Sequence, residues 1–273
     1  MVALCQVSYA QVRKEPDHTS ELVSQIIFGE WVLIREISGD WILIETEHGY
    51  RGFTRTAQFE QIEREVALVA FQDFSFQIWP AGGKVFEFLG RMCLPGSFLN
   101  DFFAVPQGFK NWVWEEIPKS IDHPEAFHPE VFARLKQCFS GIPYVWGGKT
   151  IMGLDCSGLV QVMFHQMGYS FPRDAWQQAE VGDPVDFNPE KPEFQAGDLL
   201  YFTRPGKKIH HVAVSLGGSR YFHASEWTRE NDFNPDYALF VQDRKDTLTL
   251  AKRIRTGHLK PLVSTFKEMI SRA

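Results

Sequence analysis

The chain has 273 residues, with 28 Lys and Arg against 34 Asp and Glu and a formal charge of −6. A content of 44% hydrophobic and 23% charged residues supplies enough apolar surface to offset chain ordering, which excludes wholesale disorder. The acidic balance leaves no basic excess to neutralise a phosphate backbone, so nucleic acid is not expected as a partner.

No window approaches the roughly 18 uninterrupted apolar residues of a membrane span. The opening Met1-Val2-Ala3-Leu4-Cys5-Gln6-Val7 lacks the charged-then-apolar plan of an export signal, so a cytoplasmic location is expected. Cysteines stand at 5, 93, 138 and 156 without a C-x-x-C pair or partnered His spacing. Neither a disulfide framework nor a metal site is expected, and no cofactor.

Residues 2 to 62 carry short β-branched runs, Trp31-Val32-Leu33-Ile34 and Trp41-Ile42-Leu43-Ile44, broken by Ser38-Gly39-Asp40 and Glu47-His48-Gly49. This spacing predicts a small all-β barrel over 1–62. The same style continues less clearly in Val66-Ala67-Leu68-Val69, Lys84 to Leu89 and Trp112-Val113-Trp114-Glu115, predicting a second barrel over 63–124. A Pro- and His-containing stretch from Pro118 to Pro129 then connects to a third region, 125–273.

That region mixes helix and strand. Glu130 to Phe139 has apolar residues at helical spacing, and Cys156 to Met167 follows Asp155 as N-cap and stops at Gly168. Strands are predicted at Asp198 to Phe202, Val212 to Leu216 and Tyr221 to Ala224. A helix on an antiparallel sheet makes this an α+β domain.

Cys156 in the first turn of its helix meets unpaired N–H groups and the positive end of the dipole, which bias a thiol towards thiolate. A cysteine nucleophile needs a base, and the base an orienting group. Closing a hairpin over Leu216-Gly217-Gly218 would pair Ser215 with Ser219 and set His211 opposite His223 on one face, whereas a Gly217-Gly218 turn would put them on opposite faces.

Five blocks then stand in order: Tyr144-Val145-Trp146-Gly147-Gly148, Leu154-Asp155-Cys156-Ser157-Gly158, Gly197-Asp198-Leu199-Leu200-Tyr201-Phe202, His211-Val212-Ala213-Val214 and Phe222-His223-Ala224-Ser225. Together they resemble the NlpC-type papain-like cysteine peptidases. The motifs Val12-Arg13-Lys14-Glu15-Pro16 and Gly49-Tyr50-Arg51-Gly52-Phe53 resemble a bacterial SH3-like domain. The resemblance implies a papain-like catalytic domain after two SH3-like barrels, with Cys156 as nucleophile, His211 rather than His210 as base, His223 orienting it at Nδ1, and Tyr144 beside the oxyanion.

The domain order looks like the branch that recycles murein peptides by cutting between γ-D-glutamate and a diamino acid, releasing L-Ala-γ-D-Glu. The expected substrate is therefore a murein tri- or tetrapeptide with a free N-terminal L-alanine. Phe171-Pro172-Arg173-Asp174-Ala175 resembles the segment whose aspartate takes the α-ammonium group; Ala175 stands where some relatives carry serine. Resemblance further places Asp155, Ser157, Glu15 and Tyr50 among the substrate-binding residues. The competing readings are a cell-wall peptide-binding module and an NlpC-type amidase or acyltransferase.

Overall fold

The computed structural model describes residues 1–70, 86–88, 91–93 and 129–273. The first strands are β1 (Val2–Cys5), β2 (Tyr9–Arg13), β3 (Leu22–Ile27), β4 (Trp31–Ser38), β5 (Trp41–Glu45), β6 (Arg51–Arg55) and β7 (Phe59–Ile62). They form one sheet in the order β3-β2-β6-β5-β4-β1-β7. Residues of alternating direction fill its interior: Ala10 and Val12 from β2, Val32 and Ile34 from β4, Ile42 and Ile44 from β5. This is the barrel predicted for the N-terminal region.

The run Val66-Ala67-Leu68-Val69, read above as a strand, belongs to helix α1 (Arg64–Ala70). A short apolar run does not choose between strand and helix by pattern alone. Here Ala67 and Leu68 pack against the C-terminal helix of the chain. A hairpin of β8 (Phe86–Phe88) and β9 (Arg91–Cys93) follows. The rest of the barrel predicted over 63–124, including Trp112 to Glu115, lies outside the described residues.

Helix α2 (Pro129–Phe139), the small hairpin β10 (Lys149–Thr150) and β11 (Gly153–Leu154), and helix α3 (Cys156–Gln166) open the C-terminal part. Strand β12 (Tyr169–Ser170) and helix α4 (Ala175–Gln178) lead to β13 (Asp183–Pro184), β14 (Leu199–Phe202), β15 (His211–Gly217), β16 (Arg220–Ser225) and β17 (Trp227–Asp232). Helix α5 (Gln242–Thr247), β18 (Leu248–Arg253), β19 (Lys260–Pro261) and helix α6 (Leu262–Ser271) complete the chain. The main sheet runs β13-β18-β14-β15-β16-β17, antiparallel throughout.

Helix α3 is buried along its whole length and packs on β15 and β16. Leu159, Val160, Met163 and Phe164 meet Val212, Val214 and Phe222 in one core, and Phe164 stacks on Phe171 with ring centroids 4.0 Å apart. The opposite face of the sheet buries Leu200, Phe202, Tyr221 and Phe233 in a second core. Such double-sided burial explains the uninterrupted apolar runs of β14 and β15.

The β15–β16 hairpin departs from both predicted turns. Ser215 pairs with Tyr221 and Gly217 with Arg220, with an irregularity between Ser215 and Gly217. The turn residues Gly217 and Gly218 have φ of 93° and 65°, a region open to glycine at little cost. The bulge at Leu216 restores the alternation, so His211 and His223 share a face but stand diagonally rather than opposite.

The barrel and the C-terminal part are packed together. Helix α6 places Leu262, Phe266, Met269 and Ile270 on Val2, Leu4, Trp31 and Leu33 of the barrel. Lys149 Nζ reaches Glu30 Oε1 at 2.7 Å with both side chains buried, and Lys149 N–H donates to Gln25 Oε1 at 2.8 Å. Among the described residues no helix is long and apolar enough to cross a membrane.

Candidate active site

Asp155 caps helix α3 by accepting the Gly158 N–H at 2.6 Å. This fixes Cys156 at the first helical position, where it is 6% exposed at the floor of a cleft of about 740 Å³. Glu21, Val23 and Tyr50 of the barrel form one wall of that cleft. Tyr144, Asp174, Trp176, His211 and Arg244 are among the residues that line the rest.

His211 Nε2 and His223 Nδ1 lie 2.8 Å apart, and the rings meet edge to face. His223 therefore engages Nε2 of His211, not the Nδ1 that the sequence reading assigned to it. Nδ1 of His211 is left for the thiol. The Val212 backbone amide interacts with the Cys156 sulfur, placing it at the start of β15, beside His211. His210 is exposed on the cleft wall, whereas His211 is 5% and His223 1% exposed.

The electrostatics depart from the expected thiolate. Burial, then the Asp155 charge, pushes the Cys156 thiol up to about 12. Burial, then the neighbouring His223 and Arg244, holds His211 well below its usual 6.5. Desolvation outweighs the dipole at the start of α3, and both shifts favour the uncharged forms of thiol and imidazole. Burial, then the adjacent Cys156, also raises the Tyr144 phenol, which keeps its proton and stays a donor.

Asp155 and Ser157 line the cleft, but their oxygens are engaged within the protein. Asp155 accepts from Arg173 Nη1 at 3.0 Å and Nη2 at 2.6 Å, and from the Gly147 N–H at 2.9 Å. Ser157 Oγ donates to Asp155 and accepts from Arg173 Nη1 at 3.0 Å. These side chains build the site rather than offer free ligands. Asp174 differs: burial raises its carboxyl against the lowering effect of Arg173, and it faces the phenol of Tyr50. Tyr50 is itself pushed up to about 12 by burial and then Asp174. Ala175 lines the cleft beside them.

Glu15 does not reach the site. It sits exposed in the β2–β3 loop, with its N–H donating to Ser20 Oγ at 2.9 Å. Pairing of Lys14 N–H with Glu21 C=O at 3.0 Å returns the loop so that Glu21, not Glu15, borders the cleft. Glu21 Oε1 accepts from Trp146 Nε1 at 3.0 Å across the domain boundary. Glu21 and Asn231 escaped the sequence reading, which quoted Trp146 and Arg173 within its motifs but gave them no role of their own. Asn231 Oδ1 lies 2.8 Å from His223 Nε2. Among the described residues, no three His, Cys, Asp or Glu side chains are arranged to hold a metal ion.

Residues 141–241 match the NlpC/P60 family. This segment is an NlpC/P60 cysteine peptidase domain. Residues 12–59 match the bacterial dipeptidyl-peptidase SH3 domain, in agreement with the barrel. The chain is 29% identical over 216 residues to the gamma-D-glutamyl-L-lysine dipeptidyl-peptidase of Bacillus subtilis, covering 74% of this chain and 71% of that one. It is 27% identical over 280 residues to dipeptidyl-peptidase 6 of Lysinibacillus sphaericus, covering 91% and 98%. An NlpC/P60 family structure from Bacillus cereus shares the fold, with a TM-score of 0.70 at 16% identity over 93% of this chain and 99% of that one. The NlpC/P60 domain thus carries the papain-like α+β fold, and the chain is a cysteine peptidase.

Proposed function

We propose that this peptidase hydrolyses the γ-D-glutamyl bond to a diamino acid in murein peptides that begin with a free L-alanine, releasing L-Ala-γ-D-Glu. The observation that carries the reading is the cleft itself. The SH3 barrel walls one side, and a half-buried Asp174 faces a phenol there. A carboxyl held above its usual range by burial is stabilised in its charged form by an incoming ammonium group, which favours a free α-amine. A walled cleft also admits a short peptide in preference to a cross-linked polymer. The name of the Bacillus subtilis relative supports the same bond, and that of the Lysinibacillus sphaericus relative supports release of a dipeptide.

Cys156, His211, His223 and Tyr144 carry the chemistry in this proposal. His211 Nδ1 takes the Cys156 proton as sulfur bonds to the γ-carbonyl carbon. The C–N bond then breaks, and His211 returns the proton to the leaving amine. Water attacks the thioester with His211 again as base; the C–S bond breaks and the thiol is restored. The Cys156 N–H and the Tyr144 hydroxyl face the oxyanion, where one such donor contributes about 100- to 1,000-fold in rate.

Mass spectrometry of L-Ala-γ-D-Glu-L-Lys and its diaminopimelate analogue tests the reading, with N-acetylated peptides and Cys156→Ala as controls. Release of L-Ala-γ-D-Glu from the free-amine peptides alone, lost in Cys156→Ala, is expected. Equal turnover of acetylated peptides removes Asp174 from the recognition of the ammonium group.

A further inference from the structure

We infer that Asn231 is a positioning residue that orders the protons of the histidine pair, so that His211 presents an unprotonated Nδ1 to the thiol. The inference rests on His211 acting as the base, as proposed above. It starts from a backbone carbonyl. Leu239 C=O already accepts the Asp232 N–H at 2.9 Å, and a carbonyl can only accept. Asn231 is 5% exposed, and its Nδ2 donates to that same carbonyl at 2.8 Å. The reversed amide would set two oxygens against each other in a buried site.

The amide orientation fixes everything upstream. Asn231 Oδ1 faces His223 Nε2 at 2.8 Å and must accept, so His223 carries its proton on Nε2. A neutral imidazole holds one proton, and burial keeps His223 neutral, lowering it to about 3. Its Nδ1 is then a bare acceptor, 2.8 Å from His211 Nε2, which must donate. His211 is likewise neutral and is left with an unprotonated Nδ1. The order of protons thus ends in a group that neither titrates nor rotates. Asn231 acts two hydrogen bonds away from the reacting atoms.

The position is not an accident of strand pairing. β16 and β17 pair Ser225 with Trp227 and His223 with Arg229, with Glu226 alone at the turn. Glu226 is the non-glycine residue with positive φ, 63°, among the described residues. That tight turn brings Asn231, paired with Tyr221, to the same face as His223 and two pairs further along the ladder. The Glu226 carbonyl also accepts the Tyr144 N–H at 2.8 Å, coupling the placement of the oxyanion-side tyrosine to the same turn.

The experiment is ¹⁵N–¹H correlation NMR of the side chains of His211 and His223, with steady-state cleavage of L-Ala-γ-D-Glu-L-Lys run in parallel. In the unmodified protein both rings are expected as Nε2–H tautomers. A proton on Nδ1 of either ring overturns the inference, whether or not the peptide is cleaved, so failure of the substrate reading is separate. Asn231→Leu is expected to mix the His223 tautomers and lower kcat by about 10- to 100-fold with little change in KM. Asn231→Asp, whose buried carboxyl would carry a proton on the oxygen facing the Leu239 carbonyl and still accept from His223 Nε2 on the other, is expected to restore the tautomers and part of kcat. An Asn231→Leu protein with unchanged tautomers and kcat overturns the role. If that variant fails to fold, the spectra of the unmodified protein and of Asn231→Asp decide.

Discussion

Arg173 and Asp155 form a two-pronged ion pair, with Nη2 to Oδ2 at 2.6 Å and Nη1 to Oδ1 at 3.0 Å, beside Cys156. Arg173 is 1% exposed, and its Nε donates to Ser24 Oγ of the barrel at 3.2 Å. One guanidinium thereby ties the N-cap of the Cys156 helix to the SH3 domain. Removing it leaves a buried carboxylate without its counter-charge, which costs about 3–5 kcal/mol. Arg173→Met is expected to lose that much in urea unfolding and most of its activity. Arg173→Lys is expected to recover only part, because an ammonium cannot reproduce the planar fork. Equal stability of Arg173→Lys and the unmodified protein would show that charge alone matters here.

The upward shift of the thiol and the downward shift of the imidazole have a kinetic signature. As the proposed base, His211 acts only when unprotonated, and its environment holds it well below 6.5. As pH falls through 6.5, kcat/KM is therefore expected to stay level and to drop only at distinctly lower pH. Because Cys156 is pushed up to about 12, alkylation of the free enzyme by iodoacetamide should accelerate steadily with pH. A fast plateau at pH 5 would instead indicate a preformed thiolate–imidazolium pair.

Which of these features the sequence discloses depends on how local the cause is. The cap at Asp155 and the helix behind Cys156 are local, and both are readable from a few residues. The barrel strands follow from alternating β-branched residues in the same way. The diagonal placement of His211 and His223 depends on a bulge at Leu216 that no hydrophobic pattern encodes. Asn231 lies beyond a turn made at Glu226, a residue type that gives no turn signal. The role of Arg173 is not local, since its partners Asp155 and Ser24 come together only in the folded chain. Val66 to Val69 turn helical because α6 offers them a partner from the far end of the sequence.

The domain boundary buries a charge cluster whose pH dependence has two signs. Glu30 pairs with Lys149 at 2.7 Å and lies 3.6 Å from His165; Glu47 lies 3.3 Å from His165 and 3.0 Å from His48. Burial opposes the charges of Glu30 and Glu47, but Lys149 for the first and His48 and His165 for the second win, so both carboxyls are lowered. Their stabilisation is present above about 4.5 and is lost as pH falls through the lowered folded values. His165 is raised, with burial overcome by the two carboxylates. Its contribution is full below about 6.5 and lost as pH rises through the raised value. His165→Gln is therefore expected to destabilise most near pH 5.5 and least above pH 8, measured as the urea midpoint against pH. A difference independent of pH would mean that His165 contributes packing rather than charge.

Gly158 tests whether the start of the Cys156 helix tolerates any side chain. A Cβ there would lie 2.1 Å from the Gly148 carbonyl oxygen and 3.0 Å from Asp155 Oδ1. The carbonyl cannot easily yield, because it accepts the Asp155 N–H at 3.1 Å and so holds the cap in place. The clash must instead move the first turn of the helix, and with it the sulfur and the Cys156 N–H. A displacement near 1 Å costs about 100-fold in rate even when the fold survives. Gly158→Ala is therefore expected to lose at least that factor in kcat/KM while its far-ultraviolet circular dichroism stays close to that of the unmodified protein. Gly257→Ala, where a Cβ meets nothing within 4 Å, serves as the matched control and should keep full activity. Full activity in Gly158→Ala would mean that the turn from Gly148 to Cys156 adjusts more freely than its hydrogen bonds imply.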